Sequence, residues 1–83
     1  MITFHQYAWE DYLYWQTTDK KILKRINALI QEAERNPFSG TGKPEPLKYE
    51  WSGYWSRRID DVHRMVYKVE DGELVIAQLR YHY

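Results

Sequence analysis

The repeat of apolar residues changes once along this chain, from about 3.6 to two, across the loop running from Phe38 to Pro46. Before the loop, Ile22, Ile26, Leu29, Ile30 and Ala33 fall on one face of a helix, with Lys20, Lys24, Arg25, Gln31 and Arg35 opposite. Thr18 and Asp19 supply an N-cap. Asn36 before Pro37 supplies the stop, since the residue ahead of a proline is pushed out of the α region. A shorter helix is predicted from Trp9 to Thr17, with Trp9, Tyr12, Leu13 and Gln16 as its core stripe.

After the loop, alternation predicts three strands: Trp51 to Asp60 with a break at Ser52 and Gly53, His63 to Val69, and Glu73 to His82. Asp60 and Asp61 read as a turn, and Asp71-Gly72 as a type I′ hairpin. Residues 2–6 are too short to indicate more than a strand. Helices first and an antiparallel meander second give an α+β two-layer domain, with both helices on one face of a mainly antiparallel sheet. The phase of the last strand is expected to turn Val75, Ala77, Leu79 and Tyr81 towards the helices. The other face then carries Arg58, Arg64, Arg80 and His82.

At 83 residues a single domain, 1–83, is expected. An aromatic content of 17% argues against a disordered chain. Cysteine is absent, which removes disulfide and thiolate-metal frameworks. Neither a run of about 20 apolar residues nor a basic-then-apolar leader is present, so a cytoplasmic protein without membrane contact is expected. Basic and acidic residues balance at 12 each, but not evenly along the chain. Residues 19–35 and 40–68 are each +2 and the two ends are each −2, so any cationic site is local.

The Gly40-Thr41-Gly42-Lys43 run is not a phosphate-binding loop, because Pro44 follows and no helix can open there. Three histidines without paired spacing suggest no metal site and no cofactor. Glu45 stands between Pro44 and Pro46, which should hold it and Lys43 in extended backbone. Such a carboxylate suits a general base, but by itself a stiff turn with a solvated Glu is the plainer reading, since loop carboxylates are usually just exposed. His82 beside arginines suits an acid or base, and a frayed tail is its plain alternative. Arg57, Arg58 and Arg64 have a structural alternative in ion pairs with Asp60, Asp61 or Glu70. His63 and His5 read as structural. A fixed Glu, a His and several cations make up the parts of a metal-free RNA-cleaving site.

Five phrases then become recognisable in register: Trp9 to Gln16, Gly42-Lys43-Pro44-Glu45-Pro46-Leu47-Lys48, Ser52 to Arg58, His63-Arg64-Met65-Val66-Tyr67 and Arg80-Tyr81-His82-Tyr83. Together they closely resemble the YoeB toxins of the wider RelE/ParE-like superfamily. The resemblance implies a RelE-like fold and an endoribonuclease cutting mRNA in the A site of the 70S ribosome. It also implies a homodimer and a cognate YefM-type antitoxin. By the same resemblance Glu45 would be the general base, His82 the general acid and Arg64 the stabiliser of phosphorane charge. Lys48 and Arg58 would touch phosphate, and Tyr83 would close the site. A local cationic face including Lys20, Lys24 and Arg25 would meet the ribosome. Two other classes remain: a ParE-like toxin that binds DNA gyrase, and a non-catalytic RNA-binding module.

Overall fold

The computed structural model describes residues 1–81, built as β1 (Ile2–Phe4), α1 (Gln6–Thr18), α2 (Lys20–Arg35), β2 (Glu45–Pro46), a 3-10 turn (Tyr49–Trp51), β3 (Trp55–Arg58), β4 (Arg64–Glu70) and β5 (Glu73–Gln78). The sheet has the order β1-β5-β4-β3-β2, antiparallel except for the parallel β1–β5 pair. Both helices pack on one face, giving the expected α+β two-layer class. The meander is widened at each edge: β1 pairs Ile2 with Leu74, and Glu45-Pro46, expected as loop, pairs with Ser56 and Trp55.

Helix α2 follows its sequence signals. The Asp19 carboxylate accepts from the N–H groups of Lys21 and Ile22 at 3.0 and 3.1 Å. Ile26, Leu29, Ile30 and Ala33 are buried as the stripe predicts, and Asn36 closes the helix. Replacing Asp19 with alanine leaves two first-turn donors without their cap and should cost about 1 kcal/mol. For a chain of this size that lowers the melting temperature by ~4–8 °C, measurable by circular dichroism. An unchanged melt would mean that water satisfies these donors equally well.

Helix α1 departs from expectation. It starts at Gln6, and its buried residues are Ala8 and Trp15, whereas Trp9 and Leu13 are 46% and 44% exposed. Aromatic residues surround this helix, so hydrophobicity alone does not select a face. Hydrogen bonds do: the Trp15 indole donates to the Leu79 carbonyl at 2.9 Å, and the Asp11 carboxylate accepts from the Leu79 N–H at 3.1 Å. Burial pushes the Asp11 carboxyl above its ordinary value, against the opposing pull of that N–H and of Arg80.

Strand phase is also corrected. The Asp71-Gly72 turn has positive φ at both residues, as type I′ requires, and pairs Glu70 with Glu73 and Val69 with Leu74. Leu74 and Ile76 therefore share the helix-facing side with Tyr67 and Met65, and Val75 points away. Leu79 is buried as expected, but it lies beyond the strand, past a register shift at Val66/Tyr67. Strand β5 ends at Gln78, and Tyr81 is 56% exposed with φ +64°. The expected strand through His82 thus stops early within the described residues. Residues 51–60 shorten likewise to Trp55–Arg58, behind the 3-10 turn.

Candidate active site

Strands β2, β3 and β4 each deliver one member of the expected set to the helix-free face. Cross-strand pairing sets their relation, because directly opposed residues point the same way. Glu45 opposes Ser56, Ser56 opposes Val66, and Arg58 opposes Arg64. Glu45, Arg58 and Arg64 therefore share a face. Glu45 and Arg58 are diagonal neighbours, at a spacing of ~7–8 Å that long side chains can close. Like charges directly opposed, as at Arg58 and Arg64, are unfavourable by themselves. Among the described residues neither forms an ion pair; the alternative of pairing with Asp60, Asp61 or Glu70 is not what the side chains do.

Arg64 is held by backbone carbonyls, with no carboxylate partner among the described residues. Its Nη1 donates to the carbonyls of Asp60 and His63 at 2.7 and 3.1 Å, and among the described residues its other guanidinium nitrogens make no hydrogen bond. The turn beneath it is organised by the Asp60 carboxylate, which accepts from the N–H groups of Val62 (2.9 Å) and His63 (2.6 Å). Burial acts to raise the Asp60 pKa, but these two bonds and the nearby His63 and Arg64 outweigh it, so the carboxyl stays below its usual value. Arg58 is exposed, and its backbone is gripped on both sides: its N–H donates to the Gly42 carbonyl at 2.7 Å, and its carbonyl accepts from Arg25 Nη2 at 3.0 Å. Arg25 thereby braces the backbone of Arg58.

Glu45 and Lys48 line one cleft together with Tyr49 and Trp51. The segment is pinned by Leu47 N–H to the Tyr54 carbonyl and by Trp51 N–H to the Lys48 carbonyl. Tyr49, 87% exposed with φ +58°, puts a bare ring on the rim, a placement no sequence period could reveal. Lys43 departs from its expected extended form: its φ is +52°, since the loop must reverse at Gly42 to meet Arg58.

The loop is anchored from below by Arg57, which is fully buried. Its guanidinium donates to Tyr67 Oη (3.0 Å) and to the carbonyls of Thr41 (3.0 Å), Ser39 (2.8 Å) and Asn36. It also lies 3.5 Å from Glu32. The Thr41 N–H bond to Glu32 Oε1, at 2.6 Å, is the main reason that the Glu32 carboxyl sits below its ordinary value, with Arg57 adding to it. A depressed carboxylate stabilises the fold fully above about pH 4.5, and that contribution is lost as pH falls through the lower folded value. Melting followed from about pH 6 down to pH 3 should therefore fall more steeply for the parent than for Glu32→Gln. Parallel curves would contradict this role.

Residues 79–81 approach Arg64 by a series of backbone ties. Past Leu79, the Arg80 guanidinium stacks on Tyr14 (3.5 Å to the ring centre) and on Tyr81 (4.8 Å). Arg80 is therefore drawn to α1 and does not join Arg58 and Arg64 as expected. Gln78 donates to the Arg80 carbonyl at 2.9 Å. The Tyr81 carbonyl accepts from the Arg64 N–H at 3.0 Å, and its N–H donates to His63 Nδ1 at 2.7 Å. His82 and Tyr83, expected as acid and closing residue, lie outside the described residues.

The family model described as "YoeB-like toxin of bacterial type II toxin-antitoxin system" matches residues 4–83. This chain belongs to that family. Toxin YoeB of Streptomyces coelicolor is 62% identical over 82 residues, spanning 99% of this chain and 98% of that protein. Among solved structures, a YoeB/ParE toxin from Agrobacterium tumefaciens superposes with a TM-score of 0.96 at 49% identity, covering 99% of this chain and 98% of that one. YoeB in the heterotetrameric YoeB–YefM complex of Staphylococcus aureus gives 0.92 at 50% identity, covering 100% and 97%. The chain is thus a toxin of a type II toxin–antitoxin system with the RelE-like fold expected of it. No described helix is long and apolar enough to cross a membrane.

Proposed function

We propose that this toxin, acting as one domain over residues 1–83, is a ribosome-dependent endoribonuclease that cuts mRNA in the A site by metal-free acid–base catalysis. The observation that carries the reading is the opposed pair Arg58 and Arg64 with Glu45 one strand away on the same face. Two arginines opposed in register on one face are relieved by a bound phosphodiester, and a carboxylate one strand away suits the adjacent 2′-OH. In this scheme Glu45 takes the 2′-OH proton, and the 2′ oxygen attacks phosphorus. Arg64, with Arg58 and Lys48, carries the charge gathering on the phosphorane oxygens. His82 returns a proton to the departing 5′ oxygen, and Tyr83 closes over the product end. The products are a 2′,3′-cyclic phosphate and a 5′-hydroxyl.

The same family membership supports two partners. A YefM-type antitoxin neutralises the toxin, as the S. aureus complex suggests, and the free toxin pairs with a second copy, as a YoeB dimer of that organism does. The test is cleavage of a defined mRNA by purified protein, with and without programmed ribosomes, mapping both end groups. Cutting confined to the A site and leaving a cyclic phosphate supports the reading. Folded, antitoxin-free protein that cuts under neither condition overturns it.

A further inference from the structure

We infer that His63 is a positioning residue that sets Tyr81 against Arg64, acting through the Tyr81 backbone; the inference rests on the ribonuclease reading above. The turn at residues 60–63 faces two ways. Its carbonyls at Asp60 and His63 hold the Arg64 guanidinium, while the His63 ring holds the Tyr81 N–H at 2.7 Å. The Arg64 N–H closes the loop on the Tyr81 carbonyl at 3.0 Å. One short turn therefore registers the phosphate-side cation and the segment leading to His82 with respect to each other.

The chemistry of this clip is specific. The Tyr81 N–H is met by the lone pair of Nδ1, so the clip needs that ring nitrogen as an acceptor. The ring is kept in that orientation edge-on to Trp15 (4.9 Å between centres) and tilted against Tyr81 (5.6 Å). Trp15 is itself tied to the Leu79 carbonyl, so the clip belongs to the same chain of contacts that ends β5. Tyr81 adopts φ +64°, a conformation an L-residue takes at a cost, and its backbone is held there by the His63 ring, the Arg64 N–H and, at 3.4 Å, the Gln78 side-chain amide. A group placed to act on a leaving oxygen loses ~10²-fold in rate when displaced by about 1 Å. Loss of this clip should therefore appear in kcat and leave binding little changed.

The experiment compares His63→Asn with His63→Leu. Asparagine keeps an acceptor near the place of Nδ1, whereas leucine fills the space against Trp15 and accepts nothing. Melting temperature is measured for each, with Tyr81 amide exchange by NMR and the kcat and KM for cutting ribosome-bound mRNA. For His63→Leu we expect a fold that is retained, kcat down by ~10²-fold with KM within about threefold, and the Tyr81 amide exchanging about tenfold faster. For His63→Asn, rate and exchange should both return to within about threefold of the parent.

Leucine and asparagine variants that are equally active, or equally impaired, overturn the inference. So does an activity loss in His63→Leu with Tyr81 still protected. A parent protein that cuts nothing on the ribosome overturns the ribonuclease reading and this inference with it. Protected Tyr81 in that case locates the fault in the assumed reaction, not in the clip.

Discussion

Arg57→Met should lower the melting temperature by roughly 15–30 °C, because three carbonyls lose a buried donor at ~1–3 kcal/mol each. The reason is that its acceptors cannot follow it. The carbonyls of Asn36, Ser39 and Thr41 are backbone groups, and each one left dry costs ~1–3 kcal/mol. Swapping a buried ion pair for apolar residues is often neutral, but only when both partners go. Here Glu32 and the three carbonyls would remain. A domain of this size holds only ~5–10 kcal/mol in total, so the variant should sit close to unfolding. Arg57→Lys keeps the charge but lacks the planar fork, and should fall between the two. A methionine variant melting within about 5 °C of the parent would show that water repairs the site.

Glu45→Gln should reduce A-site cleavage by ~10²–10⁴-fold, and Arg64→Gln by ~10²–10³-fold, the ranges for losing a general base and a charge stabiliser. Neither should unfold the protein: Glu45 is exposed and Arg64 only partly buried. Arg58→Gln offers a sharper contrast because activity and stability move oppositely. Removing one of two opposed arginines relieves ~0.2–1 kcal/mol of cross-strand repulsion, so the variant should melt slightly higher while cutting RNA less. The decisive measurement is single-turnover cleavage on programmed ribosomes alongside thermal melting. Glu45→Gln that cuts within threefold of the parent would remove Glu45 from the mechanism. Arg58→Gln that loses both stability and activity would mean that its side chain serves the fold.

The last strand shows where reading by residue alternation went astray. Val75, Ala77, Leu79 and Tyr81 form an unbroken alternating set, so hydrophobicity alone favours them as the inner face. The two-residue Asp71-Gly72 turn already determines the opposite phase, because it obliges Glu73 to face Glu70 and Leu74 to face Val69. Leu79 returns to the core only after the register shift and the end of the strand. The α1 stripe failed differently. With Tyr7, Trp9, Tyr12, Tyr14 and Trp15 all around the helix, the buried side is selected by the Leu79 peptide that Trp15 and Asp11 grip.

Local signals sufficed wherever a residue acts on its own neighbours. The Asp19 cap, the α2 stripe, the Asn36-Pro37 stop and the Asp71-Gly72 turn are decided within a few residues along the chain, and all are as the sequence alone implies. The matching phrases from Trp9 to Tyr83 were likewise enough to place the chain in its toxin family. Only the tertiary structure decided that Glu45 joins a strand, that Arg58 and Arg64 face each other, that Arg57 is a buried anchor, and that His63 holds Tyr81. All but the Arg58–Arg64 pairing span 10 or more residues, and the partners in several are backbone carbonyls and amides. Every residue carries those groups, so no sequence pattern marks which of them a long side chain will meet.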